Sequence, residues 1–419
     1  MKIRNYLFGL TLLLLTGCSV SKKIEKELAS NARENSFFQG VFVAEAESGK
    51  ILINHNGHKY FTPASNVKIF TLYTALKEIK DTIPIFDYAL TKDSLIVRGT
   101  GHPLFLVDSL SDRALLFLKN SEKRLYLADL SIQDAIYGPG WSWEDYAYYY
   151  MPERNIFPMY SNLLTVNKKG DDIKVVPELL SERLNFTGQS SITREPEDNT
   201  FYLPAQGDYE KSVPLKTSMQ LSADMLGEAL VKKVILVPES NKREYVAFKE
   251  VSNDTLLKRM MYDSDNFIAE QLLLRIGHEA TGSYNSKEAI NYCLKNLLSD
   301  IPQHPRWVDG SGLSRYNLFS PRSLVYVLQK LYHETPSEKL SNYFPEGGKS
   351  GTLKDDFIGQ NYIRAKSGTL SNNYSLSGYL TTKKGTVLVF SFMNNHYQGS
   401  SGDRKRMMSA FFKELYENY

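Results

Sequence analysis

Apolar positions crowd Val41 through Ala46, give way to Glu47-Ser48-Gly49-Lys50 and resume at Ile51-Leu52-Ile53, which predicts a β-hairpin turning at Ser-Gly. After Thr62-Pro63-Ala64-Ser65 the period lengthens, and Val67, Ile69, Phe70, Leu72, Tyr73 and Leu76 read as the buried face of a helix. Pro63 just ahead of that run suits a helix start, so Ser65 is expected in or beside the first turn. Helical spacing returns at Leu256, Leu257, Met260 and Met261, then from Phe267 through Leu272 to Ile276, with Gly277 as the expected end. Two strands, Ser375–Leu380 and Thr386–Phe392, are expected around Lys383-Lys384-Gly385, followed by a helix from Arg404 onward. Residues 86–249 differ in texture, with short β-rich stretches such as Ser94 to Val97, aromatic clusters such as Tyr146 to Tyr150, and loops carrying Gly and Pro. Strand, helix, helices, strands and a final helix describe an α/β sandwich over 36–85 and 250–419, interrupted by a β-rich inserted region at 86–249.

The first residues follow a different logic. Met1-Lys2-Ile3-Arg4 precedes an apolar stretch from Leu7 to Leu15, well short of the ~18–20 residues that span a bilayer. A basic flank before a short apolar run is an export signal, here residues 1–17, and it is removed rather than folded. Leu15-Thr16-Gly17-Cys18 resembles a bacterial lipobox. Small residues admit a peptidase, and the Cys18 thiol is the side chain a diacylglycerol can alkylate. The alternative is a secretory peptide with a chance cysteine at its end. More than one acyl chain anchors stably where a single chain is marginal. Residues 18–35 then form lipid anchor and polar, helix-compatible spacer, and the body faces the periplasm, with Ser19 after Cys18 favouring the outer membrane. The function is expected outside the cytoplasm.

At 419 residues the chain exceeds one ordinary core, so several packed units are expected. A content of 42% hydrophobic, 23% charged and 12% aromatic residues excludes a disordered or low-complexity chain. Lys and Arg number 50 against 47 Asp and Glu, with no long basic run, which gives no support to a nucleic-acid partner. Two cysteines cannot build a disulfide framework or a Cys-rich metal site. Cys293, within Ile290 to Leu294, is expected to pack as a small apolar residue.

Three short motifs can carry chemistry. In Ser65-Asn66-Val67-Lys68 the i, i+3 spacing puts both side chains on one helix face. A hydroxyl becomes nucleophilic when a neighbouring base takes its proton, and a lysine serves if burial or nearby cations lower its pKa. In Ser264-Asp265-Asn266, between two helical stretches, the same residue types suit helix caps. They also suit a proton relay through the hydroxyl and an amide that holds a lysine or a carbonyl. Lys366-Ser367-Gly368-Thr369 leads into the strand pair, where lysine and hydroxyl would fix a carboxylate and glycine would let a peptide lie along the backbone. Lys349-Ser350-Gly351-Thr352 competes for this role, but Lys354-Asp355-Asp356 continues it poorly as a strand, so Lys366 is preferred.

The order S-x-x-K, S-D-N, K-S-G is that of serine enzymes of the penicillin-recognising class. The chain resembles the class C low-molecular-mass penicillin-binding proteins, the D-alanyl-D-alanine carboxypeptidase/endopeptidase family, over nearly all of its mature length. Further segments carry the likeness: Gly138 to Asp145 (GPGWSWED), Tyr160 to Asn167, Ser264 to Leu273, Asp309 to Arg315 (DGSGLSR) and Arg364 to Leu370. The 199 positions from Ser65 to Ser264 (264 − 65) fit a long insertion between the first two motifs.

The resemblance implies a transpeptidase-like α/β (α+β) fold, an antiparallel sheet flanked by helices with a large β-rich inserted region. It implies that Ser65 attacks the penultimate D-alanine carbonyl of a peptidoglycan stem peptide and that water hydrolyses the acyl-enzyme. Lys68 is then the base, Ser264 and Asn266 relay the proton and orient Lys68, and Lys366 and Ser367 take the terminal carboxylate. Gly368 and Thr369 continue that substrate-binding strand, and backbone N–H groups of Ser65 and Thr369 hold the oxyanion. Asp145 could reach a basic group on the stem peptide; otherwise it is a surface aspartate. β-Lactams should acylate the enzyme, and neither metal nor organic cofactor is needed.

Two departures stand out. Ser367 replaces the usual threonine and keeps the hydroxyl, while Arg98-Gly99-Thr100-Gly101-His102-Pro103 lacks the usual aspartate before proline, and His102 is read as a loop residue. The tyrosines at 146–150 are read as packing, and Asp309 to Arg315 as a supporting turn without chemistry. The rival functions are a β-lactamase or esterase on the same scaffold and a non-catalytic peptidoglycan-binding lipoprotein.

Overall fold

The computed structural model describes residues 22–28, 30, 36–80, 82–240 and 242–419. The export signal and Cys18 lie outside the described residues. Contacts divide the chain into two compact units. The first holds the described residues up to Tyr73 with Leu257–Ser264 and Leu294–Tyr419, and the second holds Thr74–Leu256 with Asp265–Cys293.

The first unit is built on one five-stranded sheet in the order Ile363–Leu370, Asn373–Thr381, Val387–Asn395, Phe38–Glu45, Ile51–His55, antiparallel throughout. The central strands read as nearly unbroken buried runs because both sheet faces are covered. Val41, Val43, Leu376, Leu388, Phe390 and Phe392 share one core with Met408, Phe411, Phe412 and Leu415 of the C-terminal helix Gly402–Asn418. On the opposite face the helix Pro321–Glu334 is tied down by Tyr379, whose hydroxyl donates to the Leu328 carbonyl at 2.8 Å. Ile363–Leu370 forms a sheet edge, with one side of its backbone ladder turned away from the sheet.

The second unit contains a five-stranded mixed sheet in the order Val234–Pro238, Arg124–Asp129, Ser94–Gly99, Phe86–Leu90, Val246–Phe248. Parallel pairing there needs crossovers, which the helices Asp112–Lys119 and Met219–Leu230 supply. Two three-stranded sheets complete it, one of 184–187, 193–194 and 201–204, the other of 163–169, 172–176 and 209–214.

Three differences from the sequence reading have physical causes. The contact boundary does not follow 86–249: residues 74–85, 250–256 and 265–293 pack with the insertion, and Leu274 and Tyr284 lie in its core. The helix expected to end at Gly277 runs Asn266–Thr281 and is capped by Gly282 at φ +79°. Gly277 instead admits the returning chain, since a Cβ there would lie 2.6 Å from the Asn285 carbonyl oxygen. Finally, the stretch read as spacer is not all free: residues 22–28 are helical, and Ile24 and Leu28 are buried in the core of the first unit. Among the described residues, no helix is long and apolar enough to cross a membrane.

Candidate active site

Ser65 sits in a single 3-10 turn, Ala64–Val67, that runs straight into the α-helix Lys68–Glu78. The turn follows Pro63, whose ring presets helical φ, and begins with Ala64 in the left-handed region at φ +48°. This geometry leaves Ser65 half-exposed while Asn66, Val67 and Lys68 are buried. The Lys68 amine donates to Ser65 Oγ at 3.0 Å and to the Ser311 carbonyl at 2.7 Å. A neutral amine can hold the same contact with the proton running the other way, from hydroxyl to nitrogen, which is what a general base requires.

The DGSGLSR segment builds the wall on which this lysine rests. The Asp309 carboxylate accepts from the backbone N–H groups of Gly312 at 2.9 Å and Ser314 at 2.6 Å and from the Asn317 amide at 2.7 Å. The closed turn aims the Ser311 carbonyl at Lys68 and the Gly310 carbonyl at Thr71, whose hydroxyl donates to it at 2.7 Å. Gly312, at φ +89°, lies so close to the nucleophile turn that a Cβ would stand 2.0 Å from the Ala64 carbonyl oxygen. The turn read as merely supporting therefore supplies a direct partner to Lys68; its paired glycines around a serine were the available signal.

The edge strand Ile363–Leu370 brings Lys366, Ser367, Gly368 and Thr369 to the same place. A Cβ on Gly368 would lie 2.7 Å from the Pro63 carbonyl oxygen and 3.0 Å from the Ser65 nitrogen, so the strand is pressed against the nucleophile turn. Lys366 is fully buried, and its amine donates to Ser264 Oγ at 2.8 Å and to the Ser367 carbonyl at 2.7 Å. Burial, reinforced by the positive charge of Lys68, holds its pKa well below the ordinary lysine range. Ser264, the hydroxyl that accepts from it, is half-exposed and adopts φ +57°, an uncommon conformation for serine. Ser367 is nearly buried, its hydroxyl donating to Thr352 Oγ1 at 2.8 Å, and Thr369 is exposed on the outer edge.

Ser65, Lys68, Ser264, Lys366, Ser367, Gly368 and Thr369 thus belong to the first unit. Asn266 and Asp145 belong to the second. There Asp265 caps the helix Asn266–Thr281 through the Ile268 N–H at 2.9 Å, and Asn266 donates to the Tyr150 carbonyl at 2.9 Å. Asp145 stands in the short turn Trp143–Ala147, and burial together with the nearby Asp145 charge raises the Tyr150 hydroxyl above the ordinary tyrosine range. The tyrosine run is not simply packing: Tyr148, Tyr149 and Trp143 are exposed, with the Tyr148 and Tyr150 rings stacked at 5.5 Å.

The competing lysine motif resolves differently from Lys366. Lys349 is exposed and pairs with Glu346 at 3.2 Å. His102 is buried in the second unit, its Nδ1 accepting from the Leu104 N–H at 3.2 Å, and burial with the Arg275 charge pushes it down to about 3. It is a neutral loop residue. Cys293 is buried, and burial pushes its thiol up to about 12. Among the described residues, no cluster of three or more His, Cys, Asp or Glu side chains is placed to hold a metal ion.

A hydroxyl beside a buried lysine, under an edge strand carrying a second buried lysine, defines an active-site-serine enzyme of the acyl-transfer type. The chain matches the D-Ala-D-Ala carboxypeptidase 3 (S13) family over residues 20–175 and 215–415, and it belongs to that family. It is 23% identical over 371 residues to D-alanyl-D-alanine carboxypeptidase DacB of Haemophilus influenzae, covering 75% of each chain. With penicillin-sensitive carboxypeptidase A of Dictyostelium discoideum it shares 24% identity over 377 residues, 71% of this chain and 69% of that one. The crystal structure of penicillin binding protein 4 (dacB) from Haemophilus influenzae has the same fold. Its TM-score is 0.76 at 22% identity, covering 91% of this chain and 97% of that one.

Proposed function

We propose that this D-Ala-D-Ala carboxypeptidase of the S13 family acts through a Ser65 acyl-enzyme. Lys68 accepts the Ser65 proton as Oγ attacks the carbonyl of the penultimate D-alanine of a peptidoglycan stem peptide. Backbone N–H groups of Ser65 and Thr369 hold the oxyanion; such a donor contributes about 3–4 kcal/mol to lowering the barrier. Ser264 relays the proton taken by Lys68 to the leaving D-alanine amine as the peptide bond breaks. Lys366 and Ser367 take the terminal carboxylate. Water then attacks the ester and regenerates Ser65. Cross-links between stem peptides present a D-alanine carbonyl in a different peptide geometry, and the same groups serve endopeptidase cleavage.

The observation that carries this reading is the pair of contacts in one unit, Lys68 to Ser65 at 3.0 Å and Lys366 to Ser264 at 2.8 Å. A carbonyl seated over Ser65 then has a base on one side and a hydroxyl donor on the other. β-Lactams are read as acylating the same hydroxyl, a reading supported by the penicillin sensitivity named in the Dictyostelium relative. Lipid on Cys18 would place the body in the cell envelope, a reading supported by the lipobox alone. The test is covalent capture: the full-length protein should take up fluorescent penicillin and release D-alanine from muropeptides, and Ser65→Ala should do neither. Undiminished labelling of Ser65→Ala would refute the assignment, and rapid turnover of penicillin would favour a β-lactamase.

A further inference from the structure

Lys349-Ser350-Gly351-Thr352 duplicates the chemistry of Lys366-Ser367-Gly368-Thr369, yet the two segments take different positions. The duplicate is docked on the outer side of the edge strand. Glu346 accepts from Arg364 at 2.6 Å and pairs with Lys349 at 3.2 Å, and its backbone N–H donates to Ser350 Oγ at 2.9 Å. Backbone bonds run from the Ala365 N–H to the Pro345 carbonyl at 3.0 Å and from the Gly347 N–H to the Ile363 carbonyl at 3.0 Å. Gly351, at φ +52°, closes the turn where a Cβ would stand 2.7 Å from the Tyr262 carbonyl oxygen. These restraints register the loop against the strand that carries Ser367, and they bring one hydroxyl, that of half-buried Thr352, to 2.8 Å from Ser367 Oγ.

We propose that Thr352 is a positioning residue for the substrate carboxylate, its hydroxyl orienting that of Ser367 for donation to the bound anion. Either hydroxyl can donate in such a pair. Before substrate binds, the Ser367 proton points to Thr352. Once a carboxylate arrives, it takes the Ser367 proton as a hydrogen bond, and Thr352 rotates to donate to the Ser367 oxygen. No buried hydroxyl is then left without a partner, and the chain Thr352 to Ser367 to carboxylate is strengthened by mutual polarisation. The duplicate motif thus contributes its threonine instead of its lysine. This assignment rests on the Ser65 acyl-enzyme proposed above and on the carboxylate role of Ser367.

The experiment compares acylation of the full-length protein by benzylpenicillin, which carries a free carboxylate, and by its methyl ester, which does not. Both rates are followed by mass spectrometry. Thr352→Val keeps the shape and deletes the hydroxyl; it should slow acylation by benzylpenicillin about tenfold to a hundredfold and leave the ester within twofold. Thr352→Ser should restore the benzylpenicillin rate, and Thr352→Ala should repeat the split, so that a folding defect confined to one variant does not decide the result. Wild-type behaviour of Thr352→Val with benzylpenicillin, or an equal loss with both compounds in the valine and alanine variants, overturns the proposal. If the wild-type protein is not acylated at all, the Ser65 reading falls and takes this one with it; if it is acylated and Thr352→Val matches it, only the role of Thr352 falls.

Discussion

Lys366 shows how function is set against stability in a single side chain. A buried amine with a depressed pKa means that the unfolded chain binds more protons than the folded one. Stability therefore rises with pH over the window from the lowered folded value up to the ordinary lysine value near 10.4. Lys366→Met should remove this penalty, flatten the slope of Tm against pH between neutrality and pH 10, and raise Tm by a few degrees at pH 7. The same variant should lose most of its acylation by benzylpenicillin. Thermal unfolding of both proteins across that range checks the claim, and a lower Tm for the variant at pH 7 would count against it. At this scale the sequence was informative where spacing alone decides. Ser65 and Lys68 meet because i and i+3 share a helix face, whereas the hydroxyl of Thr352 meets Ser367 across 15 residues, through a loop whose docking no local pattern encodes.

Elements position the site chiefly through close backbone approach. The 3-10 turn of Ser65 is clasped between Gly312 and Gly368, each filling a space that a Cβ would overlap. Gly312→Ala should displace the turn and cost about 1–3 kcal/mol from overpacking, with acylation at Ser65 falling at least tenfold. Gly385→Ala is the matched control. It has a similar φ of +86° with nothing within 4 Å, so it should bear only the backbone cost and leave acylation unchanged. Equal acylation by the two variants would show that the clasp does not position the nucleophile. Hairpins and helices were legible here because burial on one side imposes their period. Gly277 was misread because glycine marks both helix ends and crowded backbones, and only the neighbouring chain tells them apart.

For the whole molecule, the short distance between Cys18 and the folded body matters. Ile24, which is buried in the first unit, lies six positions after Cys18, so a lipid on Cys18 would hold that unit within about 20 Å of its membrane, the limit of extended chain. Expressed with its own leader in a bacterium, the protein should partition into the detergent phase of Triton X-114, and Cys18→Ala should remain aqueous. Identical partitioning of the two would exclude the anchor. At this scale the boundaries of the insertion were only partly readable. The helix Asn266–Thr281 is buried on every side from Phe267 to Leu274, Glu270 and Gln271 included, and its sequence does not name the core that buries it.

The sequence by itself determined the order and chemistry of the three motifs, the family they belong to, and the elements that carry them, because these depend on residue type and local period. The tertiary structure alone decided that one lysine motif faces Ser264 while its near-duplicate lends a hydroxyl, that the Ser311 carbonyl is a partner of Lys68, and that the Tyr150 carbonyl is a partner of Asn266. Those contacts join residues from 15 to 243 positions apart, where partners are chosen by packing and by the need to satisfy buried polar groups.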